Sequence, residues 1–341
     1  MPVSTSTKHV TIVDIARELG LSPSTVSRAL VDHPDVRNET KERVRHLAKK
    51  LHYFPNPIAQ SLKSNQTRTL GVIVPEIKHD FFSSAISGIE EVAYQLGYSI
   101  ILCQSNESFE REVVNTNLLM HHRVAGLLVS ISQNTVSGGH FRDLLKRRIP
   151  LVFFDRACED VSASRVIIDD YKSAFEAVMY LVRQGYRKIA HFAGPRDLAI
   201  CRKRRDGYLD ALRQAEIEVR DELILYGGMH EDDGYASMGA LLKEGIVPDA
   251  VFAVNDPVVI GAYQKIREAG LSIPRDIALV GFSNNRITSL VDPPITTVNQ
   301  PSFEMGKVAA KVLIEAIHSQ RFDDQKKTIV LDAELIVRNS T

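Results

Sequence analysis

Residues 10–30 read VTIVDIARELGLSPSTVSRAL, and this stretch decides how the N-terminal part of the chain folds. Thr11 is placed to cap a helix, with Asp14 three residues on near the exposed N–H groups, while Ile12, Ile15, Ala16 and Leu19 form one apolar face. Gly20 ends that helix, because glycine accepts the left-handed backbone that a sharp reversal needs. Ser22 and Pro23 then open a second helix as a cap followed by a first-turn proline. Val26, Ala29 and Leu30 face inward, which leaves Ser24, Thr25, Ser27 and Arg28 outward, side chains that reach phosphates and base edges. The pattern predicts a helix-turn-helix whose second helix enters the major groove of duplex DNA.

A helical hairpin alone has a plain structural explanation, so its surroundings matter. A third amphipathic segment runs from Asn38 to Leu51, with Val44, Leu47, Ala48 and Leu51 on one face and Lys41, Arg43, Arg45, Lys49 and Lys50 elsewhere. Up to Thr69 the chain holds eleven Lys and Arg against six Asp and Glu, whereas the whole chain balances 42 against 42. A basic head therefore precedes an acidic body, the asymmetry that a polyanion-binding head requires.

The 341 residues, 44% of them hydrophobic, suffice for two or three domains with cores of their own. No apolar run approaches a membrane span and MPVSTSTKHV has no hydrophobic signal region, so a cytoplasmic protein is expected. Cys103, Cys158 and Cys201 are few, odd in number and far apart, which argues for reduced structural thiols. His121 and His122 are adjacent and would diverge on a helix, so neither metal nor cofactor is expected.

After the third helix, Asn56 can cap and Pro57 can start a short helix ending near Lys63. A segment this short is expected to form only against a partner. From Leu70 the texture changes to strands alternating with helices: LGVIVP, YSIILCQ, AGLLVSI and IPLVFFD, then a second series, SRVIIDD, KIAHFAG, ELILYGG, DAVFAVN and IALVGF. Such apolar strands suit sheets buried on both faces, and two consecutive sets predict two doubly wound parallel-sheet lobes. Walker A, G-x-G-x-x-G, G-x-S-x-G and H-E-x-x-H motifs do not occur, so an enzyme is not expected. Hydrogen-bonding and aromatic residues recur at strand ends instead: His79 to Phe82, Asp155-Arg156, Arg202 and Arg204, Asn255-Asp256, and Asn299-Gln300. Singly, Phe81 and Phe82 suit a core and the Asp-Arg pair suits a surface; their shared position suits a polar ligand cleft.

The runs TIVDIARELGLSPSTVSRAL, RNETKERVRHLAKKLHYFPNPIAQSL and TRTLGVIVP, in this order and spacing, resemble the LacI/GalR family of bacterial transcriptional regulators over nearly the whole chain. The resemblance implies an all-α helix-turn-helix head, residues 1–52, and a hinge helix and linker, 53–69. It also implies an α/β effector-binding and dimerisation body, 70–341, of the periplasmic binding protein type I fold, its lobes hinged by three crossovers. Lobe 1 is expected at about 70–164 and 297–325, and lobe 2 at about 165–296 and 326–341. The hinge helix would pair with a second subunit's copy over the minor groove, Leu62 wedging between base pairs; packing of Leu62 between linker and body is the alternative. The implied DNA-contacting set is Thr11, Ser22, Pro23, Ser24, Thr25, Ser27 and Arg28 with Asn56, Ala59 and Leu62.

By the same resemblance Phe82, Asp155, Arg202, Asn255 and Gln300 fall on ligand-contacting positions, and His79, Phe81, Asp256 and Ser283 complete the candidate effector site. His79 stands where sugar-binding relatives often carry Asn, and Ser283 where they carry Asp, so a plain neutral monosaccharide loses one acceptor. The run Arg202 to Arg205 makes an acidic or phosphorylated ligand worth testing. Segments 83–96 and 111–122 are the candidate dimer helices. The expected protein is a homodimeric regulator, a repressor of a palindromic operator, controlled by a small-molecule effector. A partner protein acting as effector and a solute-binding receptor are the rival readings.

Overall fold

A computed structural model describes residues 10–51, 53, 67–319 and 326–341. The chain divides into two compact units between Thr67 and Arg68. The expected hinge residues Asn56, Ala59 and Leu62 lie outside the described residues.

The head consists of α1 (Ile12–Leu19), α2 (Pro23–Leu30) and α3 (Asn38–Lys50). Thr11 and Asp14 form a reciprocal capping box: the Asp14 carboxylate accepts from the Thr11 N–H at 2.9 Å, and Thr11 Oγ1 accepts from the Asp14 N–H at 3.4 Å. Gly20 adopts φ +64°, which lets the Leu21 N–H reach back to the Ala16 carbonyl at 2.9 Å and close the helix end. Ser22 Oγ accepts from the Thr25 N–H at 3.1 Å, so the turn is fixed by local hydrogen bonds at both ends. Ile15, Val26, Ala29 and Val44 are fully buried and make a core from all three helices.

Lys41, read from sequence as part of a polar face, is buried. Its ammonium lies 3.1 Å from the Asp32 carboxylate and donates to the Asp32 carbonyl at 3.2 Å, tying α3 to the turn after α2. The Lys41 ammonium, hydrogen-bonded to the Asp32 carboxylate and carrying its charge beside it, holds that carboxyl below its ordinary value.

The body begins with β1 (Thr69–Val74), α4 (Asp80–Gln95), β2 (Ser99–Gln104), α5 (Phe109–His121), β3 (Gly126–Val129), α6 (Gly139–Lys146), β4 (Leu151–Phe154) and β5 (Ser164–Ile168). It continues through α7 (Asp170–Arg183), β6 (Ile189–Gly194), α8 (Ala199–Gln214), β7 (Ile224–Tyr226), α9 (Glu231–Lys243), β8 (Ala250–Ala253), α10 (Asp256–Glu268), β9 (Ala278–Ser283) and β10 (Thr296–Asn299). The C-terminal part is α11 (Ser302–Ser319), β11 (Thr328–Leu331) and β12 (Glu334–Ile336).

Two six-stranded sheets result, ordered β11-β5-β4-β3-β1-β2 and β12-β10-β9-β8-β6-β7. The first is parallel throughout, and in the second only the β10–β12 pair is antiparallel. Helices cover both faces of each sheet, which is why β3, β4, β6 and β8 are buried along their whole length.

The chain crosses between lobes at 169, at 300–301 and at 332–333, each shift later than expected. The run SRVII, read as the start of the second lobe, is β5 and pairs with β4 and β11 in the first sheet. Strands of both lobes are equally apolar, so their composition does not show which sheet they join; hydrogen-bond pairing does.

Helices α4 and α11 pack backbone to backbone. A Cβ on Gly88 would stand 2.1 Å from the Phe303 carbonyl oxygen, and one on Gly306 would stand 2.0 Å from that of Ala85. Gly306→Ala is therefore expected to destabilise the body by about 1 to 3 kcal/mol in chemical denaturation. Gly239→Ala, in α9 where only the Lys265 Cε lies within 4 Å, is expected to stabilise by roughly 0.5 to 1 kcal/mol. Equal effects at the two positions would contradict the packing described.

Candidate functional site

In the head, Thr11 and Ser22 serve as caps, and Pro23 and Ser24 are exposed in the first turn of α2. Thr25 is half-buried, its hydroxyl 2.8 Å from that of Ser22, Ser27 is half-buried, and Arg28 is exposed. The outward face of α2 thus presents short hydroxyl side chains and one guanidinium, while its inward face is locked to α1 and α3. A rigid polar rod of this kind is what base-edge and phosphate contacts in a major groove require.

In the body, the carboxyl ends of the central strands of both lobes converge on a cleft. Lobe 1 contributes Glu76, His79, Phe81, Phe82, Glu107, Asp155 and Arg156 to its lining. Lobe 2 contributes Ile200, Arg204, Met229, His230, Asn255, Pro257, Ser283 and Asn285, and Gln300 lies on a crossover. Left-handed backbone at Glu107 (φ 54°), Asp155 (φ 59°) and Ser283 (φ 117°) marks where the chain turns sharply off its strands to form this lining.

Most of the cleft's charge is neutralised internally. Arg156 Nη1 donates to both Glu107 oxygens at 2.8 and 3.0 Å, and its guanidinium lies 5.5 Å from the centre of the Phe82 ring. Arg204 is fully buried, donating twice to Asp170 Oδ1 at 2.9 and 2.7 Å and once to the Val254 carbonyl at 2.6 Å, with Phe282 beneath it at 3.7 Å. Asp155 is left with a longer contact, 3.7 Å, to Arg156 Nε. Burial pushes its carboxyl up to about 6, against the pull of Arg156 and Arg204. Gln300 Nε2 approaches Asp155 at 3.5 Å and Gln300 Oε1 accepts from Ser283 Oγ at 2.8 Å, so one crossover side chain bonds to both lobes. His79 sits beside Glu76 at the lobe 1 rim, and burial lowers its pKa against the pull of Glu231 and Glu76.

Of the residues read from sequence, His79, Phe81, Phe82, Asp155, Asn255, Ser283 and Gln300 line the cleft. Arg202 does not. It is turned the other way on α8 and pairs with Glu159, because at 3.6 residues per turn Ile200 and Arg204 share the inward face and position 202 opposes it. Asp256 is fully buried behind the lining, accepting from Thr297 Oγ1 at 2.7 Å and from the Asn285 N–H at 2.6 Å, and so it positions Asn285. Nor does the run 202–205 offer an anion site: Arg204 faces Asp170 and Arg205 faces Asp206 at 2.7 Å.

Glu76, Glu107, Met229, His230 and Asn285 escaped the sequence reading. Glu76 follows β1 and Met229-His230 follows β7, so the strand-end rule applied to every strand would have found them.

A three-helix head with an exposed recognition helix, followed by two hinged lobes around a polar cleft, defines a ligand-responsive DNA-binding regulator. Residues 11–56 match the family model described as bacterial regulatory proteins, lacI family, and residues 67–338 match that of periplasmic binding proteins and sugar binding domain of LacI family. The chain belongs to the LacI family of bacterial transcriptional regulators.

Relatives include the HTH-type transcriptional repressor PurR of Vibrio atlanticus (strain LGP32), 33% identical over 97% of this chain and 98% of that protein. The HTH-type transcriptional repressor CytR of Escherichia coli (strain K12) is also 33% identical, over 97% of this chain and 96% of its own length. Among solved structures, the lac repressor dimer bound to operator and the anti-inducer ONPF is similar at TM-score 0.86 and 26% identity, covering 98% of this chain and 99% of that one.

The Asp155 shift has a measurable consequence. The folded state holds this proton more tightly than the unfolded chain does, so stability falls as pH rises from the ordinary value of 3.8 to about 6. Asp155→Asn is expected to flatten that fall in urea denaturation across this window without abolishing it, because burial also raises Asp256 to about 6. An unchanged slope would show that Asp155 ionises as in water.

Proposed function

We propose that this chain is a homodimeric repressor, not an enzyme, that binds a two-fold symmetric operator through α2 and acts in the cytoplasm, where that DNA lies. Its effector is a polar small molecule without net negative charge, held in the cleft between the lobes. The observation that carries the effector class is the cleft's charge: Glu76, Glu107, Asp155 and, behind Arg204, Asp170 outnumber Arg156 and Arg204. With Glu107 and Asp170 already paired, two carboxylates remain to repel an anion and accept from hydroxyl or amino groups.

Buried polar atoms without hydrogen-bond partners support a ligand here. Among the described residues, Arg156 Nε and Asn285 Oδ1 are such atoms, one donor and one acceptor lining the same cleft. Phe82 and Phe81 add apolar ring surface, which suits a sugar or a nucleoside. The solved relative titled a cellobiose complex, TM-score 0.73 at 28% identity, supports the sugar side of that class.

Dimerisation is supported by a patch of exposed apolar residues on three consecutive elements: Tyr94 and Leu96 at the end of α4, Leu102 on edge strand β2, and Val114 and Leu118 on α5. Tyr94, Leu96, Val114 and Leu118 lie in the segments that the family resemblance marked as dimer helices, with Leu102 on the strand between them, and the relatives named repressors support the direction of control.

Calorimetry of the full chain against neutral sugars, nucleosides and their phosphates tests the effector class. A neutral member is expected to bind and its phosphate to bind at least about tenfold more weakly, a difference of 1.4 kcal/mol or more. Binding confined to phosphorylated compounds would overturn the proposal.

A further inference from the structure

A second chemistry sits at the rim of the cleft. Glu76 and His79, on the loop between β1 and α4, belong to lobe 1; His230, just before α9, belongs to lobe 2. One ligand-type atom from each, a carboxylate oxygen and two imidazole nitrogens, all fall within 4.8 Å of one another. His79 Nε2 lies 3.1 Å from Glu76 Oε2 and His230 Nε2 lies 3.8 Å from Glu76 Oε1. The two imidazoles stack with centroids 6.2 Å apart.

Glu76 Oε2 and His79 Nε2 are buried, and despite their 3.1 Å approach neither has a hydrogen-bond partner. The 3.1 Å between His79 Nε2 and Glu76 Oε2 is close to the spacing of donor atoms sharing an ion, since two bonds of about 2.05 Å at a tetrahedral angle separate their donors by about 3.3 Å, and His230 Nε2 stands somewhat wider, 3.8 Å from Glu76 Oε1. We propose that Glu76, His79 and His230 bind a first-row transition metal ion of the Zn²⁺ type and that the ion bridges the two lobes.

The donor set selects the metal class. Two imidazoles and one carboxylate suit Zn²⁺, Co²⁺ or Ni²⁺, whereas Mg²⁺ and Ca²⁺ take all-oxygen sets. Three protein donors leave a tetrahedral ion one open position, the arrangement of sites that also take a water or an exogenous ligand. His79 and His230 stand at the N-termini of α4 and α9, whose positive dipole ends oppose a cation. Glu76 itself and the first-turn acids Asp80 and Glu231 offset that cost, with Lys78 the nearby opposing charge.

Other contacts cross the same seam: Lys78 pairs with Glu231 at 3.4 Å, and the Arg286 N–H donates to Asp80 at 2.8 Å. An ion bound between them fixes the lobes at the separation these contacts already set. The site was invisible to motif reading because its donors are 154 positions apart at the extremes, Glu76 to His230.

Glu76 serves both readings, so the effector class proposed above refers to the metal-free chain, and the test of this site uses the metal alone. The full-length chain, stripped with a chelator, is titrated with Zn²⁺ by calorimetry and with Co²⁺ by visible absorption. One ion per chain is expected, with a tetrahedral Co²⁺ spectrum free of thiolate charge transfer.

His79→Gln and His230→Gln, each folded by circular dichroism, are expected to lose at least about 100-fold in affinity, since even the outer partner of a ligand is worth 10- to 100-fold. The double variant His121→Gln/His122→Gln, in the exposed pair, is expected to bind as the parent does. Three outcomes overturn the proposal: no binding at millimolar ion, binding indifferent to both single substitutions, or binding that needs His79 but not His230.

Discussion

Every functional feature of the body depends on one constraint, that the two sheets are joined by three crossovers and face each other across the carboxyl ends of their strands. A chain tied in this way resists shear between the lobes but permits them to open and close about the crossovers. The cleft proposed to hold the ligand therefore lies where such a motion would act. Gln300 shows the coupling in a single side chain: seated on a crossover, it approaches Asp155 of one lobe and accepts from Ser283 of the other. A ligand that reorganises either contact changes the balance of forces across the hinge.

The electrostatics of the cleft follow from the same geometry. Strand ends buried between two lobes lose water, which raises the cost of charge on the carboxylates there and favours their pairing with guanidiniums. Glu107 and Asp170 have guanidinium partners at hydrogen-bond distance and Asp155 has only a longer contact; burial raises Asp155 to about 6 and raises Asp170 as well, against the pull of Arg204. The guanidiniums that look available in the sequence as anion receptors are thus already committed to the protein's own acids. The selectivity against anionic ligands proposed above would arise from this internal pairing, in addition to any contact made with the ligand itself.

Local chemistry was legible in the sequence. Thr11, Asp14, Gly20, Ser22 and Pro23 act on neighbours within a few positions, and the structure places each in the cap or turn that its chemistry specifies. The strand-end rule also located most of the cleft, because a parallel sheet delivers its carboxyl ends to one edge whatever the order of its strands. What was not legible depended on phase or pairing. Arg202 and Arg204 differ by half a helical turn, and only packing decided which of them faced inward; Asp256 follows a strand end but serves the protein interior. The β5 strand could not be assigned to a sheet from composition shared by both sheets, and Glu76 meets His230 only once the lobes are folded together.

The most direct measurement is the operator dissociation constant of the full chain, taken without ligand and again with the cleft saturated by the ligand that calorimetry identifies. A hinged body that governs its head gives constants differing by roughly 5- to 150-fold, and saturating operator shifts the ligand's own affinity by the same factor. Equal operator constants in the two conditions, with the cleft demonstrably occupied, would contradict this account.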